Sequence, residues 1–105
     1  MNIIKLDEVI TEENKRGVNS KGIVENDDVK VTQIELGEGD YLPEHSVPVN
    51  VFFYIVEGKG TLQIGDEKEV VEAKQVITCP PNTTMSLKAD QGEEFIVLNV
   101  KTPSL

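Results

Sequence analysis

From Val29 onward the chain consists of short runs of period two separated by turn residues, and that alternation restricts it to extended structure. Val29, Val31, Gln33 and Glu35 alternate with Lys30, Thr32, Ile34 and Leu36 as far as Gly37. Gly37-Glu38-Gly39-Asp40 is a turn. Pro43 and Pro48 then punctuate the segment carrying His45, so strand pairing there should be interrupted or lie at an edge. Residues 51–56 are apolar on both faces, with Val51, Phe53 and Ile55 on one and Phe52, Tyr54 and Val56 on the other. A strand of that kind is covered on both sides. In so small a chain the second cover is expected to be a partner subunit, which makes a homodimer.

The later segments continue in the same way. Gly58-Lys59-Gly60 turns the chain, residues 61–64 form a strand, and Gly65-Asp66 is a two-residue hairpin loop leading to a strand through Val70 and Val71. A strand over residues 75–79 stops at Pro80-Pro81-Asn82. Met85, Leu87 and Ala89 alternate with Ser86 and Lys88, and residues 95–100 form the last strand before a tail. Residues 1–28 are the least regular part. Leu6, Val9 and Ile10 are spaced for a short helical turn, and residues 22–25 suit a short strand before Asn26-Asp27-Asp28. Strands recurring every eight to twelve residues or so, with turns between them, predict an all-β sandwich or barrel. The expected organisation is one domain over residues 1–105, with an irregular segment at 1–28 and a β-barrel core at 29–100.

Charge and cysteine usage narrow the partners. Nineteen acidic against ten basic residues give a net charge of −9. A surface of that sign repels phosphate backbones and anionic headgroups, so neither nucleic acid nor a membrane is expected as a partner. The single Cys79 has no intrachain partner, which suits a reducing compartment. The first residues lack a basic region followed by a long apolar run, and no apolar stretch is long enough to span a bilayer. The expected location is the cytoplasm.

Between Gly39 and Gly60 the sequence resembles the first cupin motif, G-x5-H-x-H-x3-E-x6-G. Gly39 and His45 stand at the motif's separation, and Val56-Glu57-Gly58 matches its exit turn. The second motif, G-x5-P-x-G-x2-H-x3-N, is similar to residues 74–89, where Pro80 keeps its identity and Pro81-Asn82 forms the turn. The resemblance implies a small single-domain cupin of the RmlC-like superfamily, folded as a double-stranded β-helix (the cupin jelly-roll barrel) around a central pocket. In that family two histidines and a glutamate from the first motif and one histidine from the second hold a divalent metal. Position by position these fall on His45, Val47, Val51 and Met85. One imidazole among such side chains cannot replace the several nitrogen or oxygen donors a first-row metal needs. No metal and no other cofactor is therefore expected.

Strand parity places His45, Val47, Val49 and Val51 on one face. The predicted ligand pocket is largely apolar and consists of His45, Val47, Val51, Phe53, Met85 and Leu87. His45 is the candidate catalytic residue, because an imidazole titrating near neutrality suits a general base. Cys79 as a nucleophile would need a base within hydrogen-bond reach and an orienting third group; the alternative is a small buried hydrophobe. Met85 is either a soft ligand or a filler of irregular space. Asn50 and Tyr54 fall opposite His45 and suit the outer surface, whereas Gln33 could reach a ligand. Gln75 and Asn99 are isolated polar residues in apolar strands, and either could face the pocket.

Three functions remain open at this point. One is a metal-free module binding a small organic molecule of unassigned identity, as a sensor or accessory domain. The second is a metal-independent isomerase or epimerase using His45 as base. The third is a structural or interaction protein whose barrel is packed throughout.

Overall fold

A computed structural model describes residues 1–13 and 17–105, and its alternating segments form ten strands: β1 (Glu12–Glu13), β2 (Asn19–Glu25), β3 (Lys30–Leu36), β4 (Tyr41–His45), β5 (Asn50–Glu57), β6 (Lys59–Ile64), β7 (Glu67–Glu72), β8 (Val76–Cys79), β9 (Met85–Ala89) and β10 (Phe95–Thr102). They make two antiparallel sheets, one ordered β1-β2-β3-β10-β5-β8 and the other β4-β9-β6-β7. The sheets close on a shared apolar interior, and the architecture is the double-stranded β-helix expected from the sequence. Among the described residues no helix is long and apolar enough to cross a membrane.

The N-terminal segment is more regular than residues 1–28 led us to expect. The short strand placed at 22–25 extends back to Asn19 and pairs along β3, adding an outer strand to the larger sheet. Asn19, Ser20 and Gly22 conceal it, because its order comes from hydrogen bonds to β3 rather than from its own apolar alternation. The helical turn near Leu6 is a single 3₁₀ turn, Leu6–Glu8, with no buried residue. Pro43 lies in β4, at an edge of the smaller sheet, where a missing ladder donor is tolerated. The β4–β9 register shifts there, between Leu42 and His45.

Two turns depend on residue type. Gly58 has a φ of +82°, and a Cβ on it would land on the Glu94 carbonyl oxygen. At Gly60 a Cβ would sit 2.5 Å from the Phe95 ring, so the absence of a side chain lets that ring close the core. Lys74 and Asn82 have φ values of +73° and +59°. Both stand where the second motif has glycine, so the left-handed turns persist with side chains attached.

Three neighbouring strands fix the composition of the interior. The inward positions of β10 run Phe95, Val97, Asn99, Lys101, and those of β3 run Leu36, Ile34, Thr32, Lys30 beside them in register. On the other side of β10, β5 contributes Ile55, Phe53 and Val51. One end of this face is hydrocarbon and inaccessible to solvent. The other end is polar and open.

Candidate functional site

The polar end of that face is the floor of a cavity of about 470 Å³. Lys30 and Thr32 of β3 and Asn99 and Lys101 of β10 supply the floor, with Thr32 beside Asn99 and Lys30 beside Lys101 as cross-strand partners. Ser20 and Gly22 of β2 extend it sideways. Leu42, His45 and Val47 form the facing wall, while Glu12, Glu25 and Leu105 stand around the mouth. The Lys30 ammonium donates to the main-chain oxygen of Leu105 at 3.2 Å, so this tail residue is held over the opening.

Asn99 is the most informative residue in the cavity. It is 6% exposed, and its Oδ1 has no hydrogen-bond partner among the described residues. A buried acceptor left unpaired costs about 1–3 kcal/mol, so such atoms are rare unless something binds them. Of the isolated polar residues in apolar strands, Asn99 is the one that reaches the cavity. Gln75 lies exposed, and its Oε1 accepts from the Glu72 N–H at 2.9 Å. Gln33 is buried on the outward side of β3 and donates to Glu35 at 3.2 Å. Asn50 is exposed and Tyr54 half-buried, both outside the barrel.

His45 is partly buried, and its Nδ1–H donates to the Pro43 carbonyl at 3.0 Å. That bond fixes the ring's orientation and, in the neutral imidazole, makes Nε2 the acceptor nitrogen. Of the six residues expected to line the pocket, His45 and Val47 do so. Val51, Phe53, Met85 and Leu87 are at most 3% exposed and belong to the packed core, although Met85 is the cross-strand partner of His45. Their side chains fill the barrel beyond the cavity, so the hollow is less apolar than sequence parity suggested. The signal for its polar floor was present in β3 and β10, where the inward positions change from Leu, Ile, Phe and Val to Thr, Asn and Lys.

Cys79 lies outside the cavity, 2% exposed at the end of β8 and opposite Val51. Its Sγ is 3.6 Å from the Pro80 carbonyl oxygen and 3.8 Å from that of Thr83. Burial pushes the thiol's pKa up, which disfavours the thiolate a nucleophile requires.

The fold is a double-stranded β-helix with a cavity of about 470 Å³ at one end. The chain belongs to the cupin family, whose domain model matches residues 25–101. No curated protein matches it by sequence. Among solved structures, it is similar to an RmlC-like cupin from Shewanella frigidimarina, with a TM-score of 0.89, 15% identity, and 99% of this chain and 92% of that one covered. A polyketide cyclase from Streptomyces resistomycificus superposes with a TM-score of 0.89 at 18% identity over 99% of this chain and 80% of the other. A conserved protein of unknown function from Streptococcus pyogenes reaches 25% identity and a TM-score of 0.76, covering 99% and 89%.

The divalent metal implied by the family's motifs needs several converging nitrogen, oxygen or thiolate donors. His45, Val47, Val51 and Met85 present one imidazole, two hydrocarbons and a thioether, and this set does not fit such an ion. Among the described residues no three His, Cys, Asp or Glu side chains come together to hold one.

Proposed function

We propose that this cupin is a metal-independent module that binds a small organic molecule in the cavity between β3, β10 and β4. The observation that carries this reading is the unpaired Oδ1 of buried Asn99 on the floor of a cavity of about 470 Å³. Small-molecule sites commonly span about 300–1,000 Å³ and place a few convergent polar groups among apolar walls. A barrel packed throughout would have neither the space nor the orphaned acceptor. The test is to fill the hollow. Thr32→Phe should abolish every ligand-induced thermal shift obtained in a small-molecule screen of the wild type. Shifts that survive in the folded variant would place binding elsewhere and overturn the reading.

A second reading is a metal-independent isomerase with His45 as base, and the bond from Nδ1 to the Pro43 carbonyl favours it by presetting ring orientation and tautomer. The similar polyketide cyclase is an enzyme on this fold. His45→Asn separates the two: altered affinity alone supports the binder, and loss of a turnover supports the enzyme.

The module is proposed to work as a homodimer in the cytoplasm. Phe52, Val56 and Val76 are 38%, 41% and 59% exposed on the outer face of the larger sheet, beside Tyr54. A chain of net charge −9 resists self-association except through an uncharged face of this kind. Phe52→Glu should convert a dimeric mass in sedimentation to a monomeric one; a wild type that is already monomeric at micromolar concentration would exclude the assembly. The unpaired, buried Cys79 suits a reducing compartment.

A further inference from the structure

We propose that the cavity's ligand is a neutral lactam or carboxamide on a compact hydrocarbon ring, its N–H donated to Asn99 Oδ1 and its carbonyl accepting from the Asn99 amide nitrogen. The assignment rests on the reading of the cavity as a binding site and adds the chemistry of its occupant.

Three observations lead to it. First, Asn99 is 6% exposed, lines the cavity and leaves Oδ1 without a partner. That oxygen can only accept, so the ligand must bring it a donor, and the same planar group carries two N–H donors beside it. A group that donates and accepts along one edge pairs with the whole carboxamide, and a second amide does so in one plane without carrying charge. Thr32 is the cross-strand partner of Asn99 on the inward face, so its hydroxyl flanks that pairing edge.

Second, the charges around the cavity offset one another. Its charged lining is Lys30 and Lys101 against Glu12 and Glu25. Lys30 stands directly opposite Glu25 in the β2–β3 register and already donates to the Leu105 oxygen at 3.2 Å, while Lys101 has an interaction of its own within the chain. Both glutamates are exposed at the mouth, where solvent screens them. Neither sign is in excess, so a carboxylate or an ammonium would give up its hydration with no opposite charge to replace it.

Third, the neutral polar side chains are few. Beyond Asn99 and Thr32 they are Ser20 and His45, and both are engaged: Ser20 Oγ donates to the Glu12 main-chain oxygen at 3.4 Å, and His45 Nδ1–H to that of Pro43 at 3.0 Å. Ile34, Leu42 and Val47 present hydrocarbon. A sugar or cyclitol carries hydroxyls around its whole ring, and each one turned toward those three side chains loses water without replacement. A lactam or ring carboxamide gathers its polarity on one edge and leaves the rest of the ring for them.

The experiment is an NMR chemical-shift titration of the full chain with matched probes. Cyclohexanecarboxamide and caprolactam carry the amide edge; their N,N-dimethyl and N-methyl forms lack the donor. Cyclohexanecarboxylate, cyclohexylammonium and inositol represent the acid, cation and polyol. The two amides are expected to bind about tenfold more tightly than their methylated forms, because methylation leaves the buried acceptor unpaired. Asn99→Leu should weaken the amides about tenfold and the methylated forms not at all, with an unfolding midpoint at or above that of wild type showing the fold intact. Equal affinity of an amide and its methylated form, or an Asn99→Leu protein that holds the amides as well as wild type, overturns the assignment. So does a cavity that prefers the acid, the cation or the polyol, and that result leaves the binding reading intact. Silence from every class, here and in a broader screen, overturns both.

Discussion

At one end of the barrel, β3, β5 and β10 turn Leu36, Ile55, Phe95 and Val97 inward, and none of these side chains is more than 2% exposed. At the other end the inward positions of β3 and β10 are Thr32, Lys30, Asn99 and Lys101, and they line the cavity. Between β3 and β10 the register runs unbroken from one end to the other; only the side chains change. The closed end obeys the rules of a core: hydrocarbon fills volume, and among the described residues no buried side-chain polar atom there lacks a partner. The open end breaks those rules at Asn99. A fold gains nothing in stability from an unpaired buried acceptor. On the proposed reading, stability belongs to one end and recognition to the other.

That division predicts unequal responses to mutation. Phe95→Ala, at the closed end, should lower unfolding free energy in urea by about 3–5 kcal/mol, because it empties the volume over Gly60. A loss under 1 kcal/mol would mean the closed end is not the structural core. At the open end the sign should reverse. Asn99→Leu removes an unpaired acceptor at nearly constant volume and should raise stability by about 1 kcal/mol while weakening the binding of any ligand that donates to it. A strongly destabilised Asn99→Leu would instead make Asn99 a structural residue.

Two smaller effects sharpen the comparison away from the cavity. Lys74→Gly relieves a side chain held at a φ of +73°, and the gain should be up to about 1 kcal/mol, less the extra entropy glycine brings to the unfolded chain. Cys79 should contribute least. Its folded pKa is raised by burial, so its contribution is fully present below the thiol's ordinary pKa, about 8.5, and is lost as pH rises toward the folded value. The unfolding midpoint of wild type should fall more steeply above that pH than that of Cys79→Ala. Parallel profiles would show that burial leaves the thiol's titration unchanged.

The local pattern carried most of the architecture. Alternation fixed which side chains of β3, β5, β9 and β10 point inward, and the glycine and proline turns fixed where strands end, because both follow from backbone geometry within a few residues. The cupin outline was legible for the same reason, although most of its chemical side chains are different here. The strand β2 was only partly visible, since hydrogen bonds from β3 order residues that have little β-propensity of their own.

The site was legible in kind and not in extent. His45 could be placed by its separation from Gly39, and Asn99 stood out as a polar residue in an apolar strand. Nothing in either neighbourhood could show that Val51, Phe53, Met85 and Leu87 fill the barrel completely while the space over Asn99 stays open. Parity tells a side chain which face to take, a property of one strand. Whether that face meets hydrocarbon, a paired partner or a void depends on strands dozens of residues apart in sequence, and only the closed barrel brings them together.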